Sequence, residues 1–508
     1  MLVIGELQIA AALPGRREPR RRSDAMRRDG GRQRDITMTN DTLAPQSGSR
    51  FLTRVLRVPT ATMVVVTSHV CIVTETYAPE INGVASTLGR LASGMRARGH
   101  TVSLVRPRQP IDVARRRPEP GTLLVTGMRL PGYKGLQLGL PAGAALRTAW
   151  SRNRPDAVYV ATEGPLGWSA ARAGAALGIR VWSGFHTNFD RYVRHYGAGW
   201  LRRPVAAYLR RFHNATAGTL VSTEGLRDEL RAAGFERLGV LGRGVDRVRF
   251  DPGRRSPALR AAWGATHDDL VVLYVGRLAP EKNVELAVAA YRAMQHTGGA
   301  LRFVVVGDGP LGATLASAHP DLVFRGFRTG DDLAAHYASA DVFLFPSETE
   351  TFGNVTLEAM ASGLAVVAYD YAAAHVHVEH GISGVLVQPG DREGFIRAAT
   401  ALARTRQTLP VMRRRARTAM EAVDWSRVVE RFEQFLLGDT TREEDEGAES
   451  RGLGRSGTVS PRRGRAGGAE ARDRAADASG SGADTDPAAD SLPVGEDAPL
   501  LRRPVLPR

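Results

Sequence analysis

The sequence predicts an α/β protein built from two doubly wound domains that face each other across a cleft. Short apolar runs, mostly β-branched, alternate with helical patterns along the chain, which is typical of parallel strands covered by helices on both faces. The alternation occurs in two series of about 170 residues, a length that suits one such domain each. A hinge-like segment, Gly-Arg-Gly-Val-Asp at residues 242–246, separates the two series.

The first series supplies four predicted strands and two predicted helices. Its apolar runs predict strands over residues 70–73, 102–105, 157–160 and 181–185. Periodicity predicts helices over residues 85–98 and 166–177. Each helix is followed by a glycine, Gly99 or Gly178, which can end a helix in the left-handed conformation. We assign residues 63–240 to this first domain.

The second series continues the same rhythm after the hinge. Its predicted strands cover residues 271–275, 303–306, 322–324, 342–345, 366–369 and 384–387. Its predicted helices cover residues 284–294, 331–339 and 355–361. We assign residues 241–424 to this second domain, and we expect a final helix within residues 425–438 to cross back to the first domain.

The two ends of the chain are predicted to be disordered. Residues 1–62 and 439–508 are rich in arginine, glycine and serine and show no sustained apolar face. Met63 directly precedes the first apolar run, so translation could start at Met1, Met38 or Met63, and the sequence leaves that choice open.

The charge of the chain reflects a preference for arginine. Among its 508 residues, 69 are Lys or Arg against 53 Asp or Glu, a formal net charge of +16, and only Lys134 and Lys282 are lysine. The preference runs through the whole chain instead of marking one face, so we expect no nucleic-acid partner. A lysine in such a chain indicates a position-specific requirement.

Composition also excludes several classes of protein. The single cysteine, Cys71, excludes a disulfide framework and a cysteine-based zinc site. No apolar run reaches the roughly 18 residues of a membrane-spanning helix. The first residues lack the basic start of a secretory signal. We therefore expect a cytoplasmic protein.

The first candidate binding motif follows the first predicted strand. Residues 74–85 read Thr-Glu-Thr-Tyr-Ala-Pro-Glu-Ile-Asn-Gly-Val-Ala, so that Asn82 and Gly83 open the next helix. Free N–H groups at a helix N-terminus favour an anion, and glycine lets a phosphate approach the backbone. The segment lacks G-x-G-x-x-G, and a single glycine turn is also typical of an ordinary strand-to-helix connection.

The second motif follows the first strand of the second domain. Residues 275–283 read Val-Gly-Arg-Leu-Ala-Pro-Glu-Lys-Asn and place Arg277 and Lys282 at the strand edge where open α/β sheets bind ligands. Two cations there suit a diphosphate. Solvated loop charges are the alternative reading.

The third motif contains two glutamates that are eight positions apart. Glu350 lies in the loop after a predicted strand, and Glu358 lies about one turn inside the helix that begins near Asn354. The helix N-terminus, with Thr356 in its first turn, is a second anion site. Each carboxylate can accept hydrogen bonds from a vicinal pair of hydroxyls, as a sugar or a ribose offers. Taken without this context, the pair would more simply be surface charges.

These motifs, together with Gly307-Asp308-Gly309-Pro310 and Arg325-Gly326, resemble those of family 4 retaining glycosyltransferases of the GT-B fold. They occur in family order over residues 63–437. The opening motif is most similar to that of bacterial GDP-mannose-dependent α-mannosyltransferases. The resemblance implies an enzyme that moves a hexose, mannose from GDP-mannose, to a lipid or glycan acceptor.

The resemblance also implies roles for individual residues. The residues implied to be catalytic are His186, Glu350, Arg277 and Lys282. The residues implied to bind the donor are Asn82, Gly83, Gly307, Arg325, Gly326, Glu350, Phe352, Gly353, Asn354, Val355, Thr356 and Glu358. Within this set Glu350 would hold the sugar hydroxyls, Glu358 the ribose, and Arg325 with Gly326 would lie by the base. The family often has a second glycine where this chain has Asn82.

The resemblance implies a reaction without a metal or another cofactor. No Asp-x-Asp motif follows a strand of the first domain, and Arg277, Lys282 and helix N-termini can neutralise the diphosphate instead. No carboxylate nucleophile is evident, which implies front-face substitution in which the leaving phosphate accepts the proton of the acceptor hydroxyl.

The candidate acceptor surface is a basic and aromatic segment of the first domain. Residues 190–214 interleave arginines with aromatic residues in a helical pattern. This pattern suits peripheral docking on an anionic membrane at the cytoplasmic face. An ordinary solvated helix explains it equally well.

Three other functions remain open on the sequence. The same fold could use a UDP-sugar, for instance to make a glucosyl or sulfoquinovosyl lipid. A phosphorylase-like enzyme would need a cofactor lysine, a role for which Lys282 is poorly placed. A nucleic-acid-binding protein with basic arms would leave the pairing of Glu350 with Glu358 unexplained.

Overall fold

The computed structural model describes residues 67–78, 80, 82–109, 111–112, 119–129, 137–186 and 202–438. The predicted disorder of residues 1–62 and 439–508 concerns segments outside these residues. Lys134 and residues 187–201 also lie outside them. Within the described part, the two predicted parallel sheets are confirmed.

The first sheet has seven parallel strands in the order β3-β2-β1-β6-β7-β8-β9. The strands are β1 (His69–Val73), β2 (Thr101–Pro107), β3 (Thr122–Val125), β6 (Ala157–Val160), β7 (Arg180–Gly184), β8 (Gly218–Val221) and β9 (Leu238–Val240). A separate antiparallel pair is formed by β4 (Gly127–Arg129) and β5 (Gln137–Gly139). The accompanying helices are α1 (Gly83–Ala97), α2 (Gly143–Arg152), α3 (Pro165–Ala176), α4 (Arg202–Asn214) and α5 (Glu224–Ala232).

The second sheet has six parallel strands in the order β12-β11-β10-β13-β14-β15. The strands are β10 (Leu270–Val275), β11 (Leu301–Val306), β12 (Val323–Gly326), β13 (Val342–Phe345), β14 (Ala365–Tyr369) and β15 (Gly384–Val387). The helices are α6 (Pro257–Ala262), α7 (Val284–Gln295), α8 (Gly312–Ala318), α9 (Gly330–Ala338), α10 (Asn354–Ala361), α11 (Ala372–His377), α12 (Arg392–Arg404), α13 (Leu409–Ala419) and α14 (Trp425–Leu437).

Alternate residues of β1 enter two different hydrophobic cores. Val70 and Ile72 pack in a core that includes residues of α1 and α14, whereas Cys71 and Val73 pack in a core that includes residues of α2 and α3. All four side chains are at most 1% exposed. A strand with both faces buried must be apolar throughout, which explains why the apolar runs predicted the strands so well.

The last helix packs against the first domain. A side chain on Gly94 of α1 would collide with Val429 of α14, so the two helices approach closely only because residue 94 is glycine. Arg98 and His100 both pair with Glu433 of α14. The chain therefore returns from the second sheet to cover the first.

In each sheet the strand order reverses beside one central strand. β1 lies between β2 and β6, and β10 lies between β11 and β13. Such a reversal opens a crevice at the carboxyl ends of the strands, because the connections on either side run to opposite faces. The loops after β1, β10 and β13, which carry the three sequence motifs, therefore lie at these crevices.

Several short elements were not predicted from the sequence. They include the edge strands β3 and β9, and β8, whose first residue is glycine. A side chain on Gly218 would collide with the ring of Trp182 on the neighbouring strand. The glycine that begins β8 is therefore required by a contact with the neighbouring strand. A local sequence pattern cannot reveal such a contact, and so β8 was not predicted.

Helix α4 covers the described part of the basic and aromatic segment. Phe212 and Leu209 are buried in hydrophobic cores, and Tyr208 donates a hydrogen bond to the carbonyl oxygen of Glu163 at 2.6 Å. The arginines Arg210 and Arg211 are exposed. In α4, the large apolar and aromatic side chains thus pack toward the core, whereas the exposed face carries arginines together with Pro204, Ala206 and Ala207. No helix in the described part of the chain is both long and apolar enough to cross a membrane.

Candidate active site

The loops after β10 and β11 pack backbone to backbone at the crevice of the second domain. Gly276 N–H donates to Val306 O at 3.0 Å, and Leu278 N–H donates to Asp308 O at 3.0 Å. Gly307 has a φ of +142°, and a side chain on it would collide with the carbonyl oxygen of Gly276. Gly307, a predicted donor-binding residue, therefore has a clear structural role in joining these loops.

Lys282 meets Glu350 in this crevice. Lys282 ends the 3-10 turn Pro280–Lys282 after β10, and Glu350 lies in the loop after the adjacent strand β13. Lys282 Nζ lies 2.5 Å from Glu350 Oε1 and also donates to Thr349 O at 3.3 Å. Both side chains are largely but not completely buried. The contact brings a predicted phosphate-binding cation to a predicted sugar-binding carboxylate.

Arg277, the second predicted cation, lies in the same loop. Its guanidinium is 3.8 Å from Glu281 Oε1, and about a third of its side chain is exposed. Its carbonyl oxygen accepts a hydrogen bond from Tyr274 at 3.1 Å. The backbone of Arg277 is thus held in place, and its guanidinium is partly exposed.

Further hydrogen bonds hold the Glu350 loop. Ser347 Oγ donates to Glu350 Oε1 at 2.7 Å, and the N–H of Glu350 donates to the hydroxyl of Tyr371. Ala373 N–H donates to Phe352 O at 2.7 Å. Neither Ser347 nor Tyr371 was singled out from the sequence. Tyr371 reaches the loop only through the pairing of β13 with β14.

Helix α10 begins directly after this loop. Gly353 precedes it with a φ of +91°, a left-handed conformation that favours glycine. The predicted donor-binding residues Asn354, Val355 and Thr356 form its first turn. Thr356 N–H donates to Gly353 O at 3.0 Å, whereas the N–H groups at the very start of a helix lack an acceptor within the helix and favour an anion. The turn lies beside Glu350, whose Cγ is 3.4 Å from where a Gly353 Cβ would stand.

Glu358 lies one turn further along α10. Its Oε2 accepts a hydrogen bond from the hydroxyl of Tyr337 at 3.0 Å. Burial raises the pKa of this carboxyl to about 7, although the Tyr337 hydrogen bond and the charge of Arg249 act in the opposite direction. Glu358 is thus a partly buried carboxyl whose pKa is raised toward neutral pH.

Arg325 and Gly326 lie at the carboxyl end of β12. Gly326 has a φ of +67°, and its carbonyl oxygen accepts a hydrogen bond from Gly307 N–H at 2.9 Å. Arg325 Nε is buried and has no hydrogen-bond partner among the described residues. Phe327, which the sequence reasoning did not single out, follows with 54% of its surface exposed.

Asn82 and Gly83 have different roles at the start of α1. Asn82 is the N-cap: its Oδ1 accepts a hydrogen bond from Ala85 N–H at 2.8 Å, and its Nδ2 donates to Thr76 Oγ1 at 2.6 Å. A side chain on Gly83 would instead point into open space. Asn82 therefore positions the turn, while Gly83 leaves room at the helix N-terminus.

His186 follows β7 in the first domain and is held on both ring nitrogens. Nε2 lies 2.9 Å from the hydroxyl of Tyr159, and Nδ1 lies 3.1 Å from a guanidinium nitrogen of Arg243. Burial, reinforced by the charge of Arg243, lowers the pKa of His186 to about 3. The imidazole is consequently neutral at physiological pH. Neither partner was singled out from the sequence.

Thr351 joins the Glu350 loop to the first domain. Its Oγ1 donates to the carbonyl oxygen of His186 at 2.9 Å, and its own carbonyl oxygen accepts a hydrogen bond from Ser222. The residue next to Glu350 thus contacts His186 directly. Two predicted catalytic residues from different domains are brought together by a threonine that the sequence reasoning missed.

The described residues contain no group of three or more His, Cys, Asp or Glu side chains that could hold a metal ion. Positive charge at the crevice comes from Arg277, Lys282 and the helix N-termini.

Comparison with known families gives two matches in tandem. Residues 81–249 match the family described as Glycosyltransferase Family 4, and residues 269–405 match Glycosyl transferases group 1. The first match covers the strands of the first sheet that follow β1, and the second match covers all six strands of the second sheet.

Proteins of similar sequence are glycosyltransferases. A GDP-mannose-dependent alpha-mannosyltransferase of Mycobacterium tuberculosis is 34% identical over 352 residues, which is 68% of this chain and 91% of that protein. The sulfoquinovosyl transferase SQD2 of Arabidopsis thaliana is 31% identical over 304 residues, which is 58% of this chain and 59% of that protein.

Solved structures share the fold at lower identity. Anabaena Alr3699/HepE in complex with UDP and glucose has a TM-score of 0.57 and 18% identity, with 72% of this chain and 99% of that chain covered. WaaG, a glycosyltransferase involved in lipopolysaccharide biosynthesis, has a TM-score of 0.55 and 17% identity, with 73% and 100% covered. The sequence matches, the two facing sheets and the crevice motifs lead to one assignment: this chain belongs to the family 4 glycosyltransferases and has the GT-B fold.

Proposed function

We propose that this glycosyltransferase moves mannose from GDP-mannose, with retention of configuration, to a lipid or glycan acceptor. The observation that carries the proposal is the contact of Lys282 with Glu350 beside the first turn of α10. Three groups would then lie at the junction between the diphosphate and the sugar of the donor: a cation for the phosphate, a carboxylate for the sugar hydroxyls and a helix N-terminus.

The diphosphate would bind between the two domains. Lys282 and Arg277 supply two positive charges, and the first turn of α10 supplies N–H donors. Gly83, with open space beside it, lets a phosphate approach α1 from the first domain. These groups neutralise the charge without a metal ion.

The sugar and the nucleoside would bind on either side of the diphosphate. The carboxylate of Glu350 would accept hydrogen bonds from the hexose hydroxyls, and backbone N–H groups of residues 352–354 would donate hydrogen bonds to them. Glu358, reached one turn deeper in α10, would accept hydrogen bonds from the ribose hydroxyls. The base would lie near Arg325 and Gly326, where the exposed ring of Phe327 can stack on it.

The proposed reaction breaks the bond between the anomeric carbon and the diphosphate oxygen. The acceptor hydroxyl attacks from the same face, so that the new glycosidic bond keeps the configuration, and its proton passes to the departing phosphate. Lys282 and Arg277 stabilise the negative charge that develops on that phosphate. In this reaction His186 would lie beside the donor sugar with its imidazole uncharged, because its pKa is lowered to about 3.

Sequence relatives favour GDP-mannose as the donor. Three GDP-mannose-dependent alpha-mannosyltransferases, from Mycobacterium tuberculosis, Mycolicibacterium smegmatis and Corynebacterium glutamicum, are 32% to 34% identical to this chain. A UDP-sugar is the second candidate, which the similarity to the Arabidopsis sulfoquinovosyl transferase favours.

The acceptor would approach from the first domain, with the protein bound peripherally to the cytoplasmic face of a membrane. Exposed arginines of α4, including Arg203, Arg210 and Arg211, suit contact with anionic headgroups. The aromatic side chains Tyr208 and Phe212 take no part in this contact, because they pack inside the domain.

A donor screen tests the proposal directly. We expect GDP-mannose to raise the melting temperature of the protein more than UDP-glucose or ADP-glucose at equal concentration. Radiolabelled mannose should then pass from GDP-mannose to extracted lipids, and the Glu350→Ala variant should lose this transfer. Preferential stabilisation and transfer with a UDP-sugar would instead establish the second candidate.

A further inference from the structure

Arg243 is a buried arginine in the segment that connects the two domains. Only 7% of its surface is exposed. One guanidinium nitrogen donates to the carbonyl oxygens of Leu241 at 2.9 Å and Gly242 at 3.1 Å, and the other donates to His186 Nδ1 at 3.1 Å. Burying a guanidinium is costly unless its N–H groups make hydrogen bonds. Here one of those hydrogen bonds is made to His186, a predicted catalytic residue.

Arg243 has no carboxylate partner among the described residues. Other strongly buried arginines of the chain do have one: Arg106 pairs with Asp112, and Arg260 pairs with Asp341. Those two arginines serve as parts of buried ion pairs, which is a common structural role. Arg243 differs because the only side chain that accepts a hydrogen bond from it, within the described residues, is His186.

The contact determines which nitrogen of His186 carries the proton. A guanidinium can only donate hydrogen bonds, so Nδ1 must be the acceptor and must lack a proton. The neutral ring then carries its proton on Nε2, which lies 2.9 Å from the hydroxyl of Tyr159. This assignment follows from the partners of the two ring nitrogens.

The charges around the imidazole act in different directions. Burial and the cation of Arg243 lower the pKa of His186, and His213 lowers it further, whereas Glu163 raises it. Tyr159 remains neutral because burial raises its pKa. Arg243 is therefore the charged group that most strongly opposes protonation of His186.

His186 in turn contacts the donor loop. Its carbonyl oxygen accepts a hydrogen bond from Thr351, the residue that follows Glu350. A ring fixed by Arg243 and Tyr159 also restricts the backbone on which that carbonyl stands. The connecting segment is thereby linked to the Glu350 loop through one histidine.

We propose that Arg243 is a positioning residue of the transfer reaction, which holds His186 in the tautomer protonated on Nε2 and keeps its ring uncharged at the reaction centre. The catalytic relevance rests on the proposed role of His186. The tautomer and charge of the His186 ring do not depend on that role, and both can be measured without any donor.

Two substitutions separate the charge of Arg243 from its hydrogen bond. Arg243→Gln keeps an N–H donor but removes the charge, and Arg243→Met removes both. Arg247→Gln is the matched control, because Arg247 lies four residues further along the same segment, is partly exposed and pairs with Asp424.

The first measurement is ¹⁵N NMR of the histidine rings of the full-length protein, with the His186 signal assigned by its loss in His186→Asn. In the wild type we expect the Nε2-protonated tautomer, with about 1% of the ring protonated at pH 5. In Arg243→Gln the tautomer should persist, while the protonated fraction at pH 5 should rise to about 10% or more. Arg243→Met should show both tautomers.

The second measurement is the transfer rate with saturating GDP-mannose at pH 8. We expect kcat of Arg243→Gln to stay within about threefold of the wild type and kcat of Arg243→Met to fall at least about tenfold. Arg247→Gln should match the wild type in both measurements. If Arg243→Met does not fold, the titration of Arg243→Gln decides the question.

An unchanged tautomer and an unchanged titration of His186 in the substituted proteins would overturn the proposal. A mixed tautomer in Arg243→Met with kcat still within about threefold of the wild type would also overturn it, since the tautomer set by Arg243 would then have no effect on transfer. Absence of transfer from GDP-mannose in the wild type, with the expected NMR result, would point to the donor assignment instead.

Discussion

Lys282 Nζ and Glu350 Oε1 lie 2.5 Å apart in the crevice of the second domain. Their loops follow β10 and β13, two strands that pair in the sheet although 68 positions separate the two residues. In the proposed complex Lys282 binds the diphosphate and Glu350 binds the sugar. The contact therefore marks the junction between these two parts of the donor, and donor binding must exchange part of it for contacts with phosphate.

Glu350→Ala should abolish most of the activity without unfolding the protein. Removing a charged group that positions the reacting sugar typically lowers turnover by about 100-fold or more, or ~2.7 kcal/mol. Initial transfer rates measure the loss, and a thermal melt verifies the fold. Glu348→Ala, two residues earlier, is the control, because Glu348 contacts Asn283 and has no proposed role in the reaction. Activity of Glu350→Ala within twofold of the wild type would contradict the assignment.

Removal of divalent metals should leave most of the activity intact. In the proposed site Arg277, Lys282 and two helix N-termini neutralise the diphosphate, so no Mg²⁺ is required to carry it. Transfer rates before and after treatment with a chelator provide the measurement. Activity that disappears on chelation and returns with Mg²⁺ or Mn²⁺ would show that these groups are insufficient.

Donor affinity should depend on pH through Glu358. Burial raises the pKa of this carboxyl to about 7, so at pH 6 most of it is protonated and has lost acceptor capacity. If the ionised form binds the ribose, the dissociation constant of the donor should increase about tenfold from pH 8 to pH 6. Calorimetric titration with GDP-mannose measures it; free GDP is avoided because a terminal phosphate itself titrates near pH 6.

The Glu358→Gln variant provides the control for this pH dependence. It should bind more weakly at pH 8 and show little change between pH 6 and pH 8. This control is needed because burial also raises the pKa of Glu75, in the first domain, to about 7, with the charge of Glu163 acting in the same direction. A pH dependence that persists in Glu358→Gln would assign the effect to another group.

The fold could be predicted from the sequence because its strands are buried on both faces. β10, for example, is buried at every position and reads as an unbroken apolar run. The three motif loops could be placed at one edge of each sheet, since parallel strands end on the same side. The sequence could not predict that the loops after β10 and β13 are neighbours. That follows from the strand order of the second sheet, in which β10 and β13 are adjacent.

The partners of the site residues were beyond sequence reasoning. Tyr337 reaches Glu358 from another helix, and Arg243 reaches His186 from 57 positions away. Neither contact has a local periodicity or a spacing that would reveal it. Asn82 illustrates a different difficulty, because a residue at a ligand-binding turn can serve as a helix cap, and only its hydrogen bonds distinguish the two roles.

Lys282→Arg tests whether the rare lysine is required for its geometry. The ammonium of Lys282 is a compact point charge that contacts both Glu350 and the carbonyl oxygen of Thr349. A guanidinium is larger and planar and prefers a bidentate approach, so it would keep the charge but displace it. We expect the donor dissociation constant to rise about tenfold and kcat to fall, while the melting temperature stays nearly unchanged.

Lys134→Arg, the same substitution at the other lysine of the sequence, is the matched control. It lies outside the described residues and has no proposed role, so donor affinity and turnover should remain those of the wild type. In a chain where 69 basic residues include only two lysines, preference for arginine alone would favour arginine at position 282. Donor dissociation constants and initial rates that do not differ between the wild type and Lys282→Arg would remove Lys282 from the phosphate site and leave its contact with Glu350 as a structural one.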